Sequence, residues 1–340
     1  MLKNQLNENF EYKFPKTLIQ LLAYLCICIT SVNFYGQNAS DDNFTHVEIN
    51  EKWGYINQKG GITITPKFDC AYPFQEGLAA VCLAGKYGYI DPVGLIKIPL
   101  KFKFAYPFSD GLARVVDFRD KVGFIDKTGK LVVSPKYDSA GGFSQGLAVV
   151  QQKGKYGFIN SRGEIKVPLK YDLAGAFSDG RAAVRKDGNW GFINNAGNEV
   201  ITLEFEDAGS FSSKLAAVKR DGKWGFINVD GRVIILPHFS FTLGFSEGLA
   251  AVGINNKFGF IDIFGQFGIT PKFDDAKFFR EGLAAVELNG KWGFIDKSGK
   301  FIIQPRFDRA DFFENGLAVV VEGDVEGYVN NKGEYVWKVY

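Results

Sequence analysis

The residues best suited to catalysis are few and far apart in this sequence. Only two histidines occur, His46 and His238, and neither lies near a serine or cysteine constellation. A nucleophilic or acid–base site needs such groups within hydrogen-bond reach of one another. No glycine-rich loop opens a helix either. The sequence therefore predicts a protein that is not an enzyme, with no catalytic residue and no cofactor.

Aspartates recur at a regular spacing and could suggest a calcium ladder. Calcium requires six to eight oxygen ligands packed closely together, whereas each of these aspartates stands alone beside a Phe or Tyr. We expect them to cap local turns instead, and we predict no metal site. The recurrent aspartates are Asp69, Asp138, Asp172, Asp207, Asp274 and Asp308.

A series of tryptophans and tyrosines, each followed by glycine, could form a platform on which sugars stack. The alternative is that these rings pack between neighbouring sheets. Val122 and Phe258 stand in the same series, as apolar fillers would, and this favours packing. The residues that carry the motif are Trp53, Gly54, Tyr87, Gly88, Tyr156, Gly157, Trp190, Gly191, Trp224, Gly225, Trp292 and Gly293.

That motif belongs to a unit that is repeated nine times in the sequence. Each step is 34 residues, except for one of 35 between Tyr87 and Val122. A fixed period of this size indicates a repeat architecture, in which each unit buries its apolar face only against its neighbours. The repeat occupies residues 44–340.

Alternation and turn residues predict three antiparallel strands in each unit. Asn289-Gly290 is typical of a two-residue type I′ hairpin between the first and second strands. Asn57 followed by Gly60 three positions later is typical of a type I turn before the third strand. A connector of about fourteen residues follows. Each connector has a phenylalanine at the same place, such as Phe74, and we expect this residue to pack between successive sheets.

The fold class predicted is therefore all-β, a repeat array of nine three-stranded antiparallel meanders. Nine units of 34 residues favour an open solenoid or superhelix, because closed propellers usually have four to eight blades of four strands. A closed, propeller-like ring is the alternative.

The first 36 residues have a different composition. Lys3, Lys13 and Lys16 precede an uncharged apolar stretch from Leu18 to Val32. This pattern is typical of a signal peptide at 1–36, with a retained N-terminal anchor as the alternative and 37–43 as a short linker. We expect no membrane span in the mature chain and an exported protein, in the periplasm, at the cell surface or outside the cell.

Two cysteines, Cys70 and Cys82, lie in the repeat, twelve positions apart. In an oxidising compartment they could form a disulfide, or they could remain free thiols. Cys26 and Cys28 fall in the apolar stretch without the small residues that precede a lipidated cysteine, so no lipoprotein is predicted.

The segment Lys291-Trp292-Gly293-Phe294-Ile295-Asp296, with its downstream Pro305-Arg306-Phe307-Asp308, resembles the bacterial WG repeat, also called the KWG repeat. The resemblance covers about nine tenths of the chain. It implies a β-rich repeat protein, often exported, without an established common activity.

Function is expected to be binding. The net charge of +2, from 40 basic and 38 acidic residues, gives no basis for nucleic-acid binding. We expect a protein-binding or structural scaffold of the cell envelope, with a protein or envelope component as partner. A glycan-binding or cell-wall-binding module is the alternative, and a hydrolytic enzyme is the least favoured. The positions that vary most between units form a candidate binding face: Cys82, Gln151, Arg185, Lys219 and Glu287.

Overall fold

The computed structural model describes residues 44–339, and these residues form nine small antiparallel sheets in chain order. The predicted signal peptide, the linker and Tyr340 lie outside the described residues. The first sheet has three strands and each of the other eight has four.

The strands are as follows, sheet by sheet. The first four sheets contain β1 (Phe44–Ile49), β2 (Lys52–Asn57), β3 (Ile62–Phe68); β4 (Cys70–Ala71), β5 (Ala79–Leu83), β6 (Lys86–Ile90), β7 (Ile96–Phe102); β8 (Phe104–Ser109), β9 (Leu112–Val116), β10 (Val122–Asp126), β11 (Leu131–Tyr137); β12 (Ser139–Ser144), β13 (Leu147–Gln152), β14 (Lys155–Asn160), β15 (Ile165–Tyr171). The fifth to seventh contain β16 (Leu173–Ala174), β17 (Arg181–Lys186), β18 (Asn189–Asn194), β19 (Glu199–Phe205); β20 (Asp207–Ala208), β21 (Leu215–Arg220), β22 (Lys223–Asn228), β23 (Val233–Phe239); β24 (Phe241–Ser246), β25 (Leu249–Ile254), β26 (Lys257–Ile261), β27 (Phe267–Phe273). The last two contain β28 (Asp275–Ala276), β29 (Leu283–Leu288), β30 (Lys291–Asp296), β31 (Phe301–Phe307); β32 (Arg309–Ala310), β33 (Leu317–Glu322), β34 (Val325–Asn330), β35 (Tyr335–Val339).

Both predicted turns are confirmed. Asn289 and Gly290 have φ values of 53° and 73°, the left-handed pair that a type I′ hairpin requires. The amide of Gly60 donates to the carbonyl of Asn57 at 3.0 Å, and the Asn57 side-chain oxygen accepts from the amide of Lys59 at 2.9 Å. These turns fix the register of the three strands that the sequence predicted.

The prediction of three strands per unit is wrong for eight of the nine sheets, because the connector supplies a fourth strand. In the second sheet, Ala71 pairs with Val81, and the amide of Tyr72 donates to the carbonyl of Ala80 at 2.9 Å. This strand can be as short as two residues, so it has no alternation by which sequence could reveal it.

Apolar cores lie between successive sheets. The connector phenylalanine is buried in each of eight units, and its ring packs on an aromatic ring of the preceding sheet, as Phe177 does on Phe158 with centroids 4.8 Å apart. The expectation that this residue packs between sheets is confirmed.

The last sheet packs on the first in the same way. Val47 and Ile56 of the first sheet form a core with Leu317 of the ninth, and Val336 and Trp337 pack against it. Among the described residues there are thus nine intersheet cores for nine sheets, where an open array would have eight.

The array is therefore a closed ring, the alternative arrangement of the sequence prediction, and the favoured open solenoid is not what forms. The physical reason is that both ends of the array carry the apolar face that every other unit buries, and closure covers both faces at once. The all-β repeat prediction is confirmed. Each sheet is a blade of a β-propeller, and blades are numbered 1 to 9 in chain order.

Candidate functional site

The first strand of each four-stranded blade lies nearest the ring axis. In a ring, equivalent residues of neighbouring blades come closest where the radius is smallest. Along this strand and the turn that follows it, equivalent residues touch: Lys277 Nζ lies 2.5 Å from Asp311 Oδ1, and the rings of Phe278 and Phe312 are 5.2 Å apart. We call this strand the inner strand, and the others the second, third and outer strands.

The two ends of the ring differ in their turns. The hairpin end carries the turns between second and third strands, such as Ala84 and Gly85. The opposite end, which we call the loop end, carries the Asn/Asp-x-x-Gly turns that follow the third strands. The two kinds of turn flank β6 and its equivalents, so they lie at opposite ends of each blade.

The glycine of the aromatic-Gly motif is required by a close approach of the outer strand. A Cβ added to Gly191 would lie 2.6 Å from the Ile201 carbonyl oxygen and 2.8 Å from the backbone of Leu203. The pairing of β18 with β19 shifts register at this point, between Trp190 and Phe192. Only glycine lets the outer strand come this near.

The aromatic residue of the motif is half-buried and packs on an intersheet core. This holds for the motif rings of seven blades. They are Trp53, Tyr87, Tyr156, Trp190, Trp224, Phe258 and Trp292. These positions agree with the interpretation that the motif rings pack between neighbouring sheets.

The recurrent aspartate clamps two successive blades together. Asp172 Oδ1 lies 2.6 Å from Lys155 Nζ in blade 4, and Asp172 Oδ2 accepts from the amide of Asp187 in the hairpin of blade 5 at 2.9 Å. The hydrogen bond from Lys155 and the one from the Asp187 amide hold the pKa of Asp172 below its usual value. Asp69, Asp138, Asp274 and Asp308 make the same two contacts.

Asp207 does not belong to this set. The equivalent position is Glu206, whose carboxylate accepts from the amide of Gly222 at 3.2 Å. Asp207 follows it and accepts from the amide of Ala208 at 2.8 Å. The sequence placed the acid of this unit one residue late, because two acidic residues stand side by side.

Two histidines lie far apart in the ring. His46 is in β1 of blade 1, where desolvation lowers its pKa to about 4. His238 is in β23 of blade 6, with Nδ1 2.6 Å from the carbonyl of Leu236. Within residues 44–339, no group of three His, Cys, Asp or Glu side chains could hold a metal ion, and no helix is long and apolar enough to span a membrane.

The candidate variable face occupies the hairpin end. Gln151, Arg185, Lys219 and Glu287 are half-buried residues at equivalent positions of second strands. Each stands opposite another variable residue on the inner strand; the pairs are Ser139 with Gln151, Leu173 with Arg185, Asp207 with Lys219, and Asp275 with Glu287. Sequence reasoning missed these inner-strand partners because it placed no strand there.

Cys82 differs from the other members of that face because it is buried. It stands opposite Cys70 across β4 and β5, with the Cα atoms 5.1 Å apart and the sulfurs joined. The bridge ties the inner strand to the second strand in blade 2.

These blades define a nine-bladed β-propeller whose recurrent residues hold blade to blade. The sequence matches the family described as WG containing repeat in eight consecutive segments: residues 53–87, 87–117, 123–156, 156–190, 190–224, 224–258, 258–292 and 292–325. The chain belongs to this WG repeat family.

Solved structures show a fold likeness at low sequence identity. The computationally designed Ika8 protein has a TM-score of 0.47 and 14% identity, covering 79% of this chain and 94% of that chain. BamB from Moraxella catarrhalis has a TM-score of 0.42 and 12% identity, covering 76% and 93%. PorZ, a bacterial surface component of the type-IX secretion system of Porphyromonas gingivalis, has a TM-score of 0.34 and 10% identity, covering 87% and 50%. No curated protein sequence matches the chain.

Proposed function

We propose that this protein is a non-catalytic, exported scaffold of the cell envelope, and that it binds another protein on the hairpin end of its ring. The observation that carries the proposal is a difference between recurrent and variable side chains. Residues that recur in the units make contacts within and between blades, whereas the paired positions on the hairpin end change in charge and size from blade to blade.

The chemistry of these pairs suits a partner with patches of both signs. Blade 5 presents Arg185 beside Leu173, and blade 6 presents Lys219 beside Asp207. Two blades further on, Glu287 stands opposite the acidic Asp275. Like charges facing each other do not help a fold, so their presence here favours a role in binding.

Two further features support export. The signal-like composition of residues 1–36 is one of them. The other is the pairing of Cys70 with Cys82, since disulfides persist mainly in oxidising compartments.

A charge-reversal comparison tests the partner surface. Arg185→Glu with Lys219→Glu changes the hairpin end, and Arg162→Glu with Lys332→Glu makes the same change in net charge in exposed turns at the loop end. The full-length proteins are cross-linked in envelope fractions, and each captured protein is quantified against wild type.

The proposal predicts a protein that wild type and the loop-end variant capture equally and that the hairpin-end variant captures at least about tenfold less. Equal capture by all three forms, or equal loss from both variants, contradicts a site at the hairpin end. Retention of all three forms on purified cell-wall glycan, without a captured protein, would support the glycan-binding alternative instead.

A further inference from the structure

The outer strand of blade 6 lacks the charges that the other outer strands carry. This strand, β23, runs from Val233 to Phe239 with the sequence VIILPHF. Each of the other eight outer strands within residues 44–339 contains at least one Lys, Arg or Glu. Charged side chains on an exposed strand prevent it from associating with another strand or apolar surface. β23 is therefore the outer strand of the ring with the least protection against association.

Three apolar side chains of β23 are exposed to solvent within four residues. They are Val233, Ile234 and Leu236. At the position of Leu236 the other units have Thr, Pro, Ser, Gln or Lys, such as Thr202 and Lys338. The repeat therefore does not need an apolar side chain at this place, and its presence favours a contact outside the blade.

The turn after the third strand of blade 7 extends this surface. Phe264 stands at its tip and is exposed, and Ile263 and Phe267 are exposed on either side of it. The turn lies against β23, because a Cβ added to Gly265 would be only 3.1 Å from Cγ1 of Ile235. We call six exposed side chains at this junction the apolar face: Val233, Ile234, Leu236, Ile263, Phe264 and Phe267.

The apolar face is large enough to form a dimer interface. Leu236 and Phe264 are 74% and 73% exposed, and the other four residues are 38% to 44% exposed. If each residue has roughly 150–200 Å² when fully exposed, the face presents roughly 500–600 Å². Two such faces together bury about 1,000–1,200 Å², which reaches the area of about 1,000 Å² that a specific interface needs.

The charges beside the apolar face do not suit a lipid surface. The two segments that form the face, 228–239 and 262–267, contain two acidic residues, Asp230 and Asp262, and one basic residue, Arg232. A surface that binds anionic lipid headgroups instead carries clustered Lys and Arg. The composition therefore favours a protein surface as the occupant.

We propose that the apolar face joins two copies of this chain in a two-fold symmetric dimer. Every copy carries the face, so one contact covers it on both copies. Because β23 has no permanent charge, two identical strands meet there without repulsion between like charges. The face lies on the outer side and the loop end of the ring, away from the variable pairs of the hairpin end. The dimer therefore does not depend on the proposed protein partner.

A second group of exposed apolar residues provides the matched control. Val93 and Leu95 are exposed at the junction of blades 1 and 2, but the outer strand that follows them, β7, carries Lys97 and Lys101. Charges on that strand oppose association, so we expect no contact between copies there. Val93→Lys with Leu95→Lys is the control variant.

The test variant is Leu236→Lys with Phe264→Lys. Blade 9 has lysine at both equivalent positions, Lys338 and Lys332, so the variant should fold, which circular dichroism checks. Phe264→Lys alone changes only an exposed turn and replaces the double variant if that one is unstable. Test and control variants remove the same number of apolar side chains and add the same charge.

Sedimentation velocity is measured at about 1 to 100 µM on protein purified as its cells process it. We expect wild type and the control variant to form dimers with the same dissociation constant. The test variant should weaken the dimer by at least about tenfold.

A wild-type protein that stays monomeric up to about 100 µM would overturn the proposal. Binding of that monomer to phosphatidylcholine vesicles would assign the apolar face to lipid instead. Equal weakening by the test and control variants would also overturn the proposal, because it would indicate a contact between two different faces.

Discussion

The phenolic hydroxyl of Tyr328 donates a hydrogen bond of 2.8 Å to the carbonyl oxygen of His46, 282 positions earlier in the chain. Blade 1 has no inner strand among the described residues, so this carbonyl of β1 is open to the ninth blade. In blades 1 and 2, the equivalent hydroxyls of Tyr55 and Tyr89 donate to carbonyls of the next blade. These belong to Tyr72, directly after the inner strand of blade 2, and to Tyr106, in the inner strand of blade 3. At the junction of blades 9 and 1, which we call the seam, the tyrosine instead bonds to the second strand.

Removal of that hydroxyl should loosen the seam selectively. Tyr328→Phe is expected to lower the free energy of unfolding by about 1 kcal/mol, the net value of one hydrogen bond. Tyr89→Phe, which removes the bond to the Tyr106 carbonyl between blades 2 and 3, is the matched control. Hydrogen exchange followed by mass spectrometry should show faster exchange in blades 1 and 9 for Tyr328→Phe and in blades 2 and 3 for Tyr89→Phe. The same exchange pattern in both variants would argue against a seam between blades 9 and 1.

The motif glycine should tolerate no side chain. Gly191→Ala places a Cβ against the Ile201 carbonyl and is expected to cost about 1–3 kcal/mol in the free energy of unfolding, the usual cost of overpacking. Gly175→Ala is the control, because its nearest atoms would lie 3.8 Å away. Denaturant unfolding of the two variants checks this, and equal effects would show that the close approach does not account for the motif.

The two contacts of Asp172, with Lys155 and with the Asp187 amide, predict that stability depends on pH. Because the pKa of Asp172 is lowered in the folded protein, its contribution is present above the ordinary value of 3.8 and is lost as the pH falls through the lowered value. Asp172→Asn should therefore lower the melting temperature at pH 7, and the difference from wild type should shrink as the pH falls below 3.8.

Asp207→Asn is the control for this measurement, since Asp207 lies next to the clamp position and bonds only to the adjacent Ala208 amide among the contacts described. A melting temperature of Asp172→Asn that runs parallel to wild type down to low pH would rule out a charge-dependent clamp.

Mass spectrometry after alkylation tests the disulfide between Cys70 and Cys82 directly. Alkylation of the unfolded protein without reductant should leave Cys70 and Cys82 unlabelled, and prior reduction should add two labels. Two labelled thiols in protein isolated from its native compartment would contradict the bridge and remove one support for export.

The units were predictable from sequence because each depends on short-range chemistry. Asn289-Gly290 and the turn from Asn57 to Gly60 have conformations set by neighbouring residues, and both formed as expected. The inner strand was not predictable, since the pairing of Ala71 with Val81 uses two residues without a pattern.

Closure was not predictable either, because it depends on the rotation between successive blades. No residue encodes that angle by itself; it arises from packing such as that of Phe177 on Phe158, repeated around the ring. The candidate face was predictable only in part. Arg185 and Lys219 stood out as variable positions, whereas their partners Leu173 and Asp207 lie on the strand that the sequence did not predict.

The central claim is that blade 9 packs against blade 1 and closes the ring. Gln58 Nε2 donates to the carbonyl of Asn315 at 3.1 Å, and Lys297 Nζ donates to the carbonyl of Glu247 at 3.0 Å in the equivalent interior junction. The two distances can be measured by pulsed electron paramagnetic resonance between spin labels at 58 and 315, or at 247 and 297. The four native cysteines are first changed to serine. The ring predicts two similar, short distances. A distance from 58 to 315 of about 80 Å, the length of eight steps between sheets stacked about 10 Å apart, would contradict it.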